Sequence, residues 1–230
     1  MQQELERQEE FNANVSHELR TPIAVMHAQC QVSREVEEKK QDKEAIKSIE
    51  VFERQTNRMK NLVDQLLQMT AIDRKGTTFS IEDIDVRDVI ESACDDIAYI
   101  DTKHITLEYS LQPTIIKANM NLIYIVINNF LSNAVKYSNE GAKIYVSCGE
   151  KDGKSYIRIQ DEGCGIEKEN ISKILESFYR EKKDRNAEGF GLGLSQAMKI
   201  AELYGGGIYV ESTKKKGSIF TFFIQNLKNK

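Results

Sequence analysis

Residues 119–137 read NMNLIYIVINNFLSNAVKY. Asn119 is placed to cap a strongly apolar helix that runs to Tyr137. Asn129, Asn133, Lys136 and Tyr137 recur at i, i+4, i+7 and i+8, which puts them on one face of that helix. The remaining positions are mostly Ile, Val, Leu, Phe and Ala. A solvent-facing stripe is the simpler explanation of the polar face. Such a stripe is normally built from Lys, Glu and Gln, whereas Asn is a poor interior helix former. Two Asn carbonyl oxygens one turn apart can help hold a hard cation such as Mg²⁺, and a nearby Lys can meet phosphate.

Around this helix the pattern alternates between helix and strand. Asp85 can cap a helix to about Tyr99, residues 104–111 (HITLEYSL) alternate like a strand, and 114–117 offer a short partner for it. After the central helix come strands at 142–148 and 155–160, with Asp152-Gly153 as a hairpin turn between them. A helix from Leu194 to about Leu203 follows, then strands at 208–212 and 218–225 turned by 214–217. This order predicts an α+β layer: a mainly antiparallel sheet with helices on one face.

Two glycine runs interrupt that layer. Asp161-Glu162-Gly163-Cys164-Gly165-Ile166 follows a strand directly. Its glycines permit close approach of a ligand, and Asp161 at a strand end can accept a hydrogen bond from an exocyclic amine. Gly189-Phe190-Gly191-Leu192-Gly193-Leu194 opens the helix near Leu194, where backbone N–H groups can cradle phosphate. Either run alone is often only a turn. A dinucleotide-binding reading of the second fails because no βαβ unit surrounds it.

Upstream, Leu5, Phe11, Val15, Leu19, Ile23 and Met26, continuing with Val32 and Val36, predict one long helix from 2 to about 38. Charges at Glu37, Glu38, Lys39, Lys40 and Asp42 mark a turn. A second helix carries Ile46, Ile49, Phe52, Met59, Leu62, Val63, Leu66, Leu67 and Ile72 on its inward side. Two amphipathic helices do not enclose a core, so a symmetric dimer forming a four-helix bundle is expected. The alternative is a hairpin packed on the second domain of its own chain. The domains expected are 1–74, a linker at 75–79, and 80–230.

The first helix contains FNANVSHELRTP, Phe11 to Pro22. His17 and Thr21 lie one turn apart on one face, and Glu18 is adjacent. Pro22 cannot donate to the carbonyl of Glu18, so the helix should loosen there. A lone helical His is usually a surface residue. Here an acid, a hydroxyl and a weakened helix accompany it, and a neutral imidazole is a competent nucleophile toward phosphorus.

The net charge of −4 over 230 residues gives no nucleic-acid footprint. No window approaches a membrane span, and the polar N-terminus has no signal-peptide core. The four cysteines, Cys30, Cys94, Cys148 and Cys164, show no C-x-x-C spacing. They favour a reducing compartment over a disulfide framework or a zinc site.

The Phe11–Pro22 stretch resembles the phosphoacceptor box of sensor histidine kinases, H-E-x-x-T-P. The Asn helix and the two glycine runs, in this order, resemble the N, G1 and G2 boxes of the Bergerat-type ATP-binding fold. Histidine kinases share that α/β sandwich with gyrase, mismatch-repair and heat-shock chaperone ATPases. Leu175-Glu176-Ser177-Phe178-Tyr179-Arg180 is similar to the kinases' F box. The resemblance implies catalytic roles for His17, the phosphorylated residue, with Glu18 and Thr21. It implies ATP as substrate and Mg²⁺ on Asn133, supported by Asn129. Lys136 and Arg180 would meet phosphates, Tyr137 the nucleotide, and Asp161 the adenine amino group. Gly163 and Gly165 would bind the nucleotide by close backbone approach, Gly189, Gly191 and Gly193 would line the phosphates, and 170–188 would form a lid. Two residues depart from the pattern: Leu175 stands where the F box usually has Phe, and Ala118-Asn119 where Gly-Asp is common.

The implied partners are a second copy of the chain and a response-regulator receiver domain. The implied location is cytoplasmic, with any membrane attachment through upstream sensor segments. An ATPase machine and a dimeric scaffold with a regulatory ATP pocket are the competing readings. Neither needs His-Glu followed by Thr-Pro.

Overall fold

A computed structural model describes residues 23–35, 39, 43–73, 79–100, 103–181 and 190–225. The chain divides into two compact units, Met1–Thr77 and Thr78–Lys230.

In the first unit, residues 23–35 (α1) and Lys43–Asp73 (α2) are helical. Arg34 ties them together: its guanidinium donates to Glu53 Oε2 at 3.0 Å and lies 3.6 Å from Glu50. Ile23, Val63 and Met69 are buried. Four residues of the apolar stripes expected from sequence are exposed: Met26, Val32, Phe52 and Met59, at 45%, 57%, 65% and 46%. Val25 and Val32, like Phe52 and Met59, are seven residues apart, the spacing of a coiled-coil seam. The single chain therefore leaves part of each stripe uncovered. No helix among the described residues is long and apolar enough to cross a membrane.

The second unit is the expected α+β layer. Its elements are β1 (Glu82–Asp85), α3 (Val86–Ile100), β2 (Thr106–Leu111), β3 (Ile115–Ala118) and α4 (Met120–Tyr137). They continue with β4 (Lys143–Lys151), β5 (Lys154–Asp161), α5 (Gly193–Leu203), β6 (Gly207–Thr213) and β7 (Gly217–Gln225). The five-stranded sheet runs in the order β2-β4-β5-β7-β6. Only β2 and β4 are parallel; the other pairs are antiparallel. Asp152 and Gly153 turn β4 into β5 with φ of 52° and 73°, the paired left-handed residues of a tight hairpin.

Alternation along the strands sends Ile144, Val146, Cys148, Ile157, Ile159, Phe220, Phe222 and Ile224 into the core. There they meet the apolar side of α4, where Phe130 packs on Phe220 with ring centroids 5.4 Å apart. Asn119 caps α4 as expected, its Oδ1 accepting from the Leu122 amide at 3.2 Å.

One pairing differs from the sequence reading. Residues 115–118 do not partner β2 but pair with β1 in a separate two-stranded sheet. Thr114 is fully buried, and its carbonyl accepts the Val86 amide at 2.9 Å, so the chain after β2 turns toward the start of α3. Strand β1 reads EDID, an acid-rich run with no β-branched alternation, and has no visible strand signal. Asp85 does cap the following helix, its Oδ1 accepting from the Arg87 amide at 3.0 Å.

Candidate functional site

Helix α4 has an apolar side that is the core and a polar side that carries the candidate site residues. Leu122, Ile123, Val126, Ile127, Phe130, Leu131 and Ala134 are buried, whereas Asn129, Asn133, Lys136 and Tyr137 are half-buried. A residue that is partly exposed yet walled by neighbours can meet a ligand without losing its place. The Lys136 ammonium stands 5.0 Å from the centroid of the Tyr137 ring, within cation–π range.

The loop after β5 is built against the end of that helix. The Cys164 amide donates to the Tyr137 carbonyl at 3.2 Å. A Cβ on Gly163 would lie 2.5 Å from the same carbonyl, so only glycine fits there. Gly165 has φ of 64°, and a Cβ on it would strike the carbonyl of Thr213. The turn between β6 and β7 thus closes over the loop, with the Lys215 amide donating to the Cys164 carbonyl at 2.7 Å.

Asp161 is the last residue of β5 and is only 5% exposed. Its Oδ1 accepts the Gly163 amide at 2.8 Å and the Ser218 amide at 3.2 Å. These bonds favour the carboxylate, but burial outweighs them and pushes the carboxyl pKa above its ordinary value. Both bonds fall on one oxygen, which leaves Oδ2 as an acceptor for a ligand donor.

The second glycine run meets the opposite end of the polar stripe. A Cβ on Gly193, the first residue of α5, would lie 2.5 Å from Asn129 Oδ1. Gly191 has φ of 75°, and its Cβ would meet the Tyr179 carbonyl at 2.6 Å and Arg180 Cγ at 3.1 Å. The Phe178 amide donates to the Gly191 carbonyl at 2.9 Å, and Phe178 itself has φ of 66°, rare for a bulky residue. The segment around Arg180 is therefore seated on the glycine run. Two short 3₁₀ turns, Lys168–Asn170 and Lys173–Leu175, lead into it, and Asn170 Nδ2 donates to Glu181 Oε1 at 3.0 Å.

These contacts group Asn129 with Arg180, Gly191 and Gly193 at one end of the α4 stripe, and Tyr137 with Asp161, Gly163 and Gly165 at the other, with Asn133 and Lys136 on the same helix face. His17, Glu18, Thr21 and Gly189 lie outside the described residues, as does the lid beyond Glu181. Sequence reasoning missed the β6–β7 turn as part of the site. Ser218 holds Asp161, and Ser212 Oγ accepts the Ile166 amide at 2.9 Å. Gly217, which closes the Lys-Lys-Lys-Gly turn and opens β7, was the available signal.

The donor set suits a nucleotide with a hard cation. Neutral Asn oxygens suit an ion that retains waters and phosphate oxygens as its other ligands. Among the described residues no His/Cys/Asp/Glu cluster could hold a metal by itself. Gly193 and Gly163 are packed to the limit against the Asn129 side chain and the Tyr137 carbonyl, at the two ends of the polar stripe.

Residues 7–75 match the family described as His Kinase A (phospho-acceptor) domain. Residues 118–228 match the Histidine kinase-, DNA gyrase B-, and HSP90-like ATPase family. The sensor histidine kinase WalK of Bacillus subtilis is 34% identical over 219 residues, covering 93% of this chain and 36% of that protein. The sensor histidine kinase YkoH of Bacillus subtilis is 30% identical, covering 96% of this chain and 48% of that protein. The chain thus spans half the length of these relatives or less. Full-length ShkA in complex with AMPPNP superposes with a TM-score of 0.78 at 22% identity, over 94% of this chain and 45% of that one. The Acinetobacter baumannii histidine kinase AdeS does so with a TM-score of 0.64 at 24% identity, over 92% of this chain and 98% of that one.

Proposed function

Because the chain belongs to the sensor histidine kinase family of two-component systems, we propose that it transfers the γ-phosphoryl group of ATP to His17 and then to an aspartate of a response regulator. The observation that supports this reading is that both glycine runs pack on the polar stripe of α4: Gly193 against Asn129, and the Gly163 loop, whose amide Asp161 holds, against the Tyr137 carbonyl.

A ring nitrogen of His17 attacks the γ-phosphorus in line. An N–P bond forms, the bond to the bridging oxygen breaks, and ADP leaves. Glu18 accepts or orients the proton on the other ring nitrogen, which keeps the attacking one unprotonated. Lys136, Arg180 and the amides of Gly189, Gly191 and Gly193 stabilise charge on the phosphate oxygens. Asp161 Oδ2 accepts from the adenine amine, and Tyr137 packs against the nucleotide. Asn133, with Asn129 beside it, would ligate Mg²⁺, which when bound neutralises phosphate charge.

The phosphoacceptor hairpin, 1–74, and the ATP domain, 80–230, are joined by 75–79, which must let them meet. The hairpin forms a homodimer whose four helices cover exposed apolar residues of each chain's hairpin, among them Met26, Val32, Phe52 and Met59. Thr21 positions water for hydrolysis of the phospho-regulator, making the enzyme bifunctional. The core works on the cytoplasmic side of a membrane-anchored sensor.

Incubation with Mg²⁺ and γ-labelled ATP tests the reading. Acid-labile, alkali-stable label on the protein is the expected result. Free labelled phosphate alone would favour an ATPase, and neither product would favour a scaffold.

A further inference from the structure

The last turn of α4 has an unusual end. Ser138, its C-cap, is extended at φ −84° and ψ 155°, so no left-handed glycine turns the chain back over the open carbonyls. The Ser138 amide reaches only the Ala134 carbonyl, at 3.1 Å. The carbonyls that follow are gathered by a residue from before β2. Lys103 Nζ donates to the carbonyls of Val135, Lys136 and Ser138 at 2.9, 2.8 and 2.8 Å. An ammonium has three N–H groups, and this one spends a bond on each carbonyl. The Lys103 carbonyl in turn accepts the Gly141 amide at 2.9 Å, which fixes the lysine to the chain leaving α4.

The carbonyl between those three belongs to Tyr137. It accepts the Cys164 amide and is the atom against which Gly163 is packed. The backbone that Lys103 holds is therefore the backbone on which the loop after β5 is seated. A cation is also the favoured group at a helix C-terminus, where the partial charge is negative.

We infer that Lys103 is a positioning residue of the nucleotide site, holding the end of α4 in the one arrangement that docks the Gly163–Gly165 loop. It touches no nucleotide in this account, which rests on the nucleotide-binding reading of that pocket. It acts through the Tyr137 carbonyl, and through the set of the Lys136 and Tyr137 side chains.

The test uses Lys103→Met in the full chain, which keeps an apolar stem and removes every donor. Hydrogen exchange at the Cys164 amide should rise at least tenfold, while the Ile157 and Phe222 amides inside the sheet keep their protection. Affinity for Mg-ADP should fall roughly tenfold, the scale of losing hydrogen bonds to a charged group. Lys103→Arg, which restores charge and donors, should recover most of the Cys164 protection. Lys103→Gln, with two N–H donors on a shorter stem, carries the same test if the Met variant does not fold. Unchanged Cys164 exchange would overturn the inference, as would an equal rise across the whole sheet, which means general destabilisation. Exchange is read without nucleotide, so failure of wild-type protein to bind Mg-ADP would count against the pocket's function and leave the Lys103 result standing.

Discussion

A Cβ added to Gly193 would sit 2.5 Å from Asn129 Oδ1. The first turn of α5 is therefore stacked on the polar stripe of α4 with no room between them. The missing side chain at Gly193 is what permits that approach. Gly193→Ala suits a helix start, so the fold should survive and the melting temperature should change little. The Asn129 amide must move aside. We expect Mg-ADP affinity to fall about tenfold, or about 1.4 kcal/mol, by titration calorimetry.

Asp161→Asn should separate stability from binding. In the folded state the Asp161 pKa is raised, chiefly by burial. The native state therefore holds this proton more tightly than the unfolded chain. Its stabilising effect is full below the unfolded carboxyl pKa and is lost as pH rises through the folded value. Asn is neutral at every pH and can still accept the Gly163 and Ser218 amides. The mutant's melting temperature relative to wild type should thus increase as pH rises from acid to neutral. Nucleotide affinity should fall roughly 10–150-fold, because an acceptor at the ligand position becomes a donor. Unchanged affinity would remove Asp161 from the adenine pocket.

Much of this site was legible because its signals are local. The i, i+4, i+7, i+8 stripe at Asn129, Asn133, Lys136 and Tyr137 appears in the structure as the half-buried face of α4. Glycines required by contact, such as Gly163 and Gly191, were visible as runs. Long-range pairings were not legible. Strand β1 is held by its register with β3, with Ile84 opposite Ile116, and not by its own composition. Ser218 reaches Asp161 across 57 residues of sequence, and Lys103 reaches Val135 across 32. No periodicity reports such contacts, because they arise only after the sheet has formed.

The four cysteines should differ in reactivity. Cys94 and Cys148 are buried, and burial pushes the Cys94 thiol pKa up to about 11 and that of Cys148 upward. Cys164 is exposed between the two glycines of the loop after β5. With a chromogenic disulfide at mildly alkaline pH, Cys164 should react first, Cys30 more slowly, and the other two only on unfolding. Saturating Mg-ADP should slow Cys164 labelling, measured by peptide mass spectrometry. Equal labelling rates with and without nucleotide would argue against the pocket's placement.

Thr21→Ala tests the proposed phosphatase activity. Thr21 follows His17 by four residues, the spacing of one turn in the helix expected there, and a group that donates and accepts at once can hold a water in line with phosphorus. The alternative is a hydroxyl bonded back to the His17 carbonyl, with no chemical role. Autophosphorylation should persist. Decay of purified phospho-regulator in the presence of protein and ADP should slow tenfold or more, on the order of 1.4 kcal/mol in barrier. Equal decay rates would reject the role, and a parallel loss of autophosphorylation would indicate helix damage.

The most direct test of the account is uptake of label from γ-labelled ATP by His17→Gln beside wild type. Glutamine keeps hydrogen-bonding capacity and offers no nucleophilic ring nitrogen. The account predicts normal Mg-ADP binding by both proteins, acid-labile label on wild type, and none on the variant. Labelling of His17→Gln at the wild-type rate would contradict it and point to another acceptor, with His27 the first to examine.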